Sequence, residues 1–132
     1  EDQMIGYTLV GTNDLDRAKG YYDALFGEIG VGRMMEMENM CAWGASFDTP
    51  AFGVTRPYDG NAATAGNGTM IALVVDTRDK VDLLHARAMA LGGKDEGGPG
   101  VRGEEGPQAF YAAYFRDPDG NKLCAFRIGP AN

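Results

Sequence analysis

Histidine and cysteine are nearly missing from this chain of 132 residues, which has one histidine, His85, and two cysteines, Cys41 and Cys124. Two distant thiols exclude a disulfide framework or a zinc ribbon, and a reducing cytoplasm is the simplest setting. No serine or cysteine nucleophile with a histidine base is available either. Clusters of lysine and arginine are also lacking. With twelve basic against nineteen acidic residues the net charge is −7, which argues against nucleic acid and anionic membranes as partners. There is no apolar run long enough to span a bilayer and no charged, apolar and small signal segment at the start. Met4 reads as the natural initiator, with Glu1, Asp2 and Gln3 as foreign residues ahead of it. The length suits one domain, able to bury roughly two thirds of its unfolded surface in a single core. A small molecule remains as the partner.

The most informative segment is residues 115–126, FRDPDGNKLCAF. Asp117-Pro118-Asp119-Gly120 has the composition of a type I turn: Asp117 bonds its own backbone, Pro118 presets φ, and Gly120 takes the left-handed position. The register that follows pairs Asp117 with Asn121, Tyr114 with Cys124 and Ala112 with Phe126, all on one face. That face is the expected binding face.

A pattern also repeats along the chain. Residues 4–10 alternate as a strand, and a helix follows with Asp14 as cap, Leu15, Ala18, Tyr22 and Leu25 as its apolar stripe and Gly27 as its stop. Residues 69–75 form an apolar strand. Asp79 is a plausible cap for a second helix whose stripe is Val81, Leu84, Ala88 and Leu91. Shorter strands follow each helix: residues 33–38, 42–47 and 51–55 in the first half, and a weak edge strand at 100–102, then 108–116 and 122–128, in the second. Each half is therefore β-α-β-β-β. The fold class is α+β, one domain of two modules, about 4–57 and 68–128, with a linker at 58–67. Residues 92–106, with seven glycines, read as the most flexible loop, either a lid or plain surface.

The hairpin with its DPDGN turn, the opening IGYTLVGTNDLDRAKGYY of residues 5–22 and the RPYDGNAATAGNGTMIAL of residues 56–73 resemble the vicinal oxygen chelate superfamily, the glyoxalase, bleomycin-resistance and extradiol-dioxygenase group. The resemblance implies two βαβββ modules whose mixed sheets curve into a shared cup, one main helix per module on the outer face. It also implies a divalent metal held by four side chains, two from each half. Here the four positions fall at Tyr7, Gly53, Met70 and Cys124. Hard divalent cations want imidazole, carboxylate or thiolate, and this set offers one possible thiolate, a thioether and a phenol. The expectation is no metal and no cofactor. Monovalent copper on Cys124 and Met70 is weighed against plain pocket lining, and lining is preferred. His85 reads as a helix-packing residue.

Tyr7, Met70, Ala72, Ala112, Tyr114, Cys124 and Phe126 would line such a cup. Trp43 and Phe47 share a strand face in this reading, to stack on a flat ligand or to complete the core. The methionines of RMMEMENM, residues 33–40, would make either a permissive binding surface or filling for a core or dimer interface. Arg56 and Arg102 are the candidate anion anchors, or ordinary surface charges. The preferred function is metal-free binding or sequestration of a small, partly aromatic compound. The alternative is a lyase or isomerase of the glyoxalase type, working from a displaced metal site or through Tyr7, Tyr114 and Cys124 as proton-transfer groups. Ordinary metal-dependent glyoxalase I activity is disfavoured, and whether the protein is an enzyme stays open. A purely structural role in dimerisation is a third reading, and a homodimer is expected in any case.

Overall fold

The computed structural model describes residues 4–131, so the expectation about Glu1 to Gln3 lies outside the described residues. The chain divides between Ala65 and Gly66 into two compact units. Each contains a mixed four-stranded sheet and one helix, the α+β plan read from the sequence.

The first unit runs β1 (Tyr7–Gly11), α1 (Leu15–Gly27), β2 (Arg33–Glu36), β3 (Met40–Trp43) and β4 (Ala51–Thr55), in sheet order β1-β4-β3-β2. β1 is parallel to β4, and the other pairs are antiparallel. Asp14 is extended and its carboxylate accepts the Arg17 N–H at 3.1 Å, which opens α1 as expected. Leu15, Ala18, Tyr22 and Leu25 are all buried, joined by Tyr21 and Phe26. Tyr22 stands 4.8 Å from Phe52 and 5.6 Å from Trp43 between ring centroids, so the seam between helix and sheet is largely aromatic. Asp23 ties the helix to the sheet: it accepts from Arg33 at 2.9 and 2.7 Å and from the Trp43 indole at 2.9 Å. The Arg33 guanidinium, above all, holds the Asp23 carboxyl below its usual range, aided by the indole hydrogen bond.

Two expectations change here. β1 begins at Tyr7 and not at residue 4, and β3 ends at Trp43, leaving Phe47 exposed in a turn. Trp43 and Phe47 therefore share no strand face.

The second unit runs β5 (Ile71–Val74), α2 (Arg78–Ala90), β6 (Lys94–Arg102), β7 (Phe110–Arg116) and β8 (Lys122–Ile128), in order β5-β8-β7-β6. Thr77, and not Asp79, caps α2, its hydroxyl accepting the Lys80 N–H at 3.2 Å. Asp79 sits inside the first turn, where its charge meets the positive end of the dipole. Val81, Leu84 and Ala88 are fully buried, while Leu91 is only half-buried at the C-cap.

The largest departure is β6. Most of the expected glycine-rich loop is a nine-residue strand, paired antiparallel to β7 with irregularities between Asp95 and Gly97 and between Gly97 and Gly100. Asp95 anchors the first irregularity, with one oxygen 2.9 Å from His85 Nε2 and also accepting the Gly97 N–H at 2.9 Å. Gly97 has φ +149°, a backbone state that favours glycine. The β7–β8 hairpin has the register read from its turn: Tyr114 faces Cys124 and Ala112 faces Phe126. Gly120 donates to the Asp117 carbonyl at 2.9 Å and has φ +90°.

Candidate functional site

Alternation along β7 and β8 gives the second sheet two different faces. Tyr111, Ala113, Phe115, Leu123 and Ala125 share the face that meets α2, where Tyr111 donates to Asp82 at 2.6 Å and Phe115 lies edge-on to His85. That contact explains His85, which packs behind the sheet. Phe110, Ala112, Tyr114, Lys122, Cys124 and Phe126 take the opposite face, which α2 leaves open; on it Ala112 and Cys124 are buried and the other four half-buried.

Register orders the open face into rows. Ala72, Cys124, Tyr114 and Gly97 form one row across all four strands, and Val74, Phe126, Ala112 and Gly100 form the next. The structure thus brings together four residues singled out from the sequence: Ala72, Tyr114, Cys124 and Phe126. Met70 lies just before β5 and is half open to solvent. The Phe110 and Phe126 rings lie 5.5 Å apart between centroids, tilted by 30°.

Tyr114 and Cys124 stand directly opposite each other in the register of β7 and β8. Burial is the largest influence on both groups and pushes the thiol and the phenol up from their ordinary pKa values; the neighbouring Tyr114 hydroxyl and the charges of Arg102 and Lys122 only partly offset this for Cys124. At neutral pH the pair is a neutral thiol and a neutral phenol.

Two cations lie against the tyrosine. The Arg102 guanidinium carbon is 5.4 Å from the ring centroid and the Lys122 ammonium 5.6 Å. Arg102 folds back along its own strand, donating to the Gly100 carbonyl at 2.9 Å and the Gly98 carbonyl at 2.7 Å. A Cβ on Gly97 or on Gly100 would stand 3.2 Å from its terminal nitrogens, so the glycines of β6 make the bed in which the guanidinium lies. Sequence reasoning placed Arg102 in a mobile loop and missed Lys122, Phe110 and the glycine bed. Lys122 was accessible to it, because 122, 124 and 126 share a face at strand period.

In the first unit, Tyr7, Leu9 and Gly53 lie on the face away from α1, with Leu9 paired to Gly53 and Ala42 beyond it. Tyr7 is 65% exposed. A Cβ at Gly53 would meet Leu9 Cδ2 at 2.7 Å and the Cys41 carbonyl oxygen at 3.1 Å, so no side chain fits there without movement. Trp43 takes the core alternative. It is 2% exposed, on the α1 side with Tyr22 and Phe26, and is not available to a ligand on the open face. Arg56 is exposed just past β4, its guanidinium 3.4 Å from the Glu38 carbonyl. Among the described residues no three His, Cys, Asp or Glu side chains are grouped to hold a metal ion.

The model of the Glyoxalase/Bleomycin resistance protein/Dioxygenase superfamily matches residues 4–125, and the chain belongs to that family. A crystal structure of a glyoxalase/bleomycin resistance protein from Albidiferax ferrireducens T118 is 36% identical, with TM-score 0.84 over 95% of this chain and 98% of that one. A glyoxalase/bleomycin resistance protein/dioxygenase family enzyme from Burkholderia phytofirmans PsJN is 19% identical, with TM-score 0.70 over 93% and 97% of the two chains. Lactoylglutathione lyase from Agrobacterium tumefaciens is 21% identical, with TM-score 0.65 over 95% and 93%. The last two share the fold alone. No protein with a curated description matches the chain.

Proposed function

We propose that this protein binds or sequesters a small, partly aromatic molecule without a metal, on the open face of its second sheet. The observation that carries this reading is the central row of that face, Ala72, Cys124, Tyr114 and Gly97, whose two polar side chains sit opposite each other and are both pushed toward their neutral forms by burial. The four positions to which the family resemblance assigns metal ligands do not fit a hard divalent cation. Tyr7 brings a phenol, Met70 a thioether, Cys124 a buried protonated thiol, and Gly53 a site whose side-chain space Leu9 fills. Around them the face is apolar and aromatic, the usual lining of a small-molecule site. The lyase or isomerase reading finds less support, since neither Tyr114 nor Cys124 is ionised to serve as a base.

The same reading makes the protein a homodimer of a reducing cytoplasm. Exposed Met35 and Met37, on and just beyond the edge strand β2, suit an interface between copies, and both cysteines are free thiols. No helix among the described residues is long and apolar enough to cross a membrane. Light scattering on the purified protein checks the dimer.

Elemental mass spectrometry followed by thermal-shift titration with nickel, zinc, iron and manganese tests the metal-free reading. The expected result is no stoichiometric metal and no large stabilisation by any ion. A tightly bound metal in every chain, or a large shift with one ion, overturns it.

A further inference from the structure

We infer that the molecule bound on the open face of the second sheet is a small organic anion with a flat apolar body, its charged group taken by Arg102 and Lys122. The inference deepens the proposed function and rests on it.

The two cations share one absence. Among the described residues neither Arg102 nor Lys122 forms an ion pair with a carboxylate, although the protein has nineteen acidic residues and a net charge of −7. Three other cations of this unit are paired: Arg78 with Glu105, Lys80 with Asp76, and Arg116 with Glu96. The pairing of Arg116 also occupies Glu96, which sits in the irregular stretch of β6 next to Gly97. Arg102 and Lys122 are instead held against one tyrosine ring, so an anion beside that ring would draw on both charges.

The guanidinium is also pre-positioned. Its two bonds to the Gly98 and Gly100 carbonyls fix its plane along β6, and they use two of its five N–H donors. The remaining donors in a fixed fork suit a carboxylate, sulfonate or phosphonate. Beside this charged end, Val74, Phe126 and the neighbouring Phe110 offer an apolar bed for a ring. An anion at one end and an apolar ring at the other describe the ligand class.

The test compares one ring in three charge states. Benzoate and naphthoate, their neutral amides and their cationic aminomethyl counterparts are titrated by calorimetry into the wild type and into Arg102→Gln and Lys122→Met. The acids are expected to bind at least about tenfold more tightly than the amides, the difference a charged hydrogen bond makes. The aminomethyl compounds should bind weakest, and Arg102→Gln should bring the acids down to the level of the amides. Should Arg102→Gln misfold, added salt on the wild type decides the same point, weakening the acids and sparing the amides. Amides or amines that bind as well as the acids overturn the anionic class and leave the binder standing. If no compound of either ring binds, the binding reading falls and this inference with it.

Discussion

Asp117 and Asn121 close the last hairpin by a reciprocal grip: the Asp117 N–H donates to the Asn121 carbonyl at 2.9 Å, while the Asn121 N–H and side-chain amide donate to the two Asp117 carboxylate oxygens at 2.9 and 3.0 Å. Both residues are 4% exposed, and the same carboxylate also accepts the Asp119 N–H. Asp117→Ala would leave buried donors without their acceptor, and a loss of about 2–3 kcal/mol in urea unfolding is expected. A loss under about 0.5 kcal/mol, typical of surface changes, would show that the turn does not depend on the grip.

Gly53 is a packing requirement of the first sheet. Gly53→Ala should cost about 1–3 kcal/mol, because the added methyl group crowds Leu9 and the Cys41 carbonyl. Shortening Leu9 in the same chain should recover part of that loss. Strict additivity of the two changes, within about 0.5 kcal/mol, would mean that Leu9 is not the cause.

Both thiols should be inert in the folded protein. Burial, the largest influence on each, raises Cys41 and Cys124 above the ordinary thiol pKa, so an aromatic disulfide reagent at neutral pH should react with neither until denaturant is added. Rapid native reaction at Cys124 would mean a thiolate on the open face and would revive the proton-transfer enzyme.

Glu105 predicts a pH dependence. Hydrogen bonds from Arg78, foremost, and from the Gly106 N–H hold its carboxyl down at about 2. In the unfolded chain the group takes its proton near the ordinary carboxylate value, so its contribution to stability is complete above that value and disappears as pH falls through about 2. The stability advantage of the wild type over Glu105→Gln should be present at neutral pH and shrink steadily on acidification. An advantage that stays constant over that range would contradict the pairing.

What could be read in advance followed local chemistry. The Asp14 cap, the Leu15, Ala18, Tyr22 and Leu25 stripe and the register of the DPDG hairpin all arise within a few residues, where spacing and turn preference decide the outcome. β6 was hidden because its glycines have neither strand propensity nor a period of two; the edge of β7 makes it a strand, and that edge is a tertiary fact. Trp43 escaped for a related reason. Aromatic character does not say which side of a strand faces its helix, and the parity of β3 sends the indole to Asp23 and Tyr22. Lys122 was not singled out, and its place against Tyr114 emerges only in the folded sheet.

On the proposed reading, the bed of glycine under Arg102 separates the binding face from what holds the sheet to its helix. Arg102 reaches Tyr114 along its own edge strand and contributes nothing to the seam where Val81, Leu84 and Ala88 meet the back of the sheet. On the proposed reading, a single substitution at Arg102 removes one of the two positive charges of this face and leaves that seam as it is.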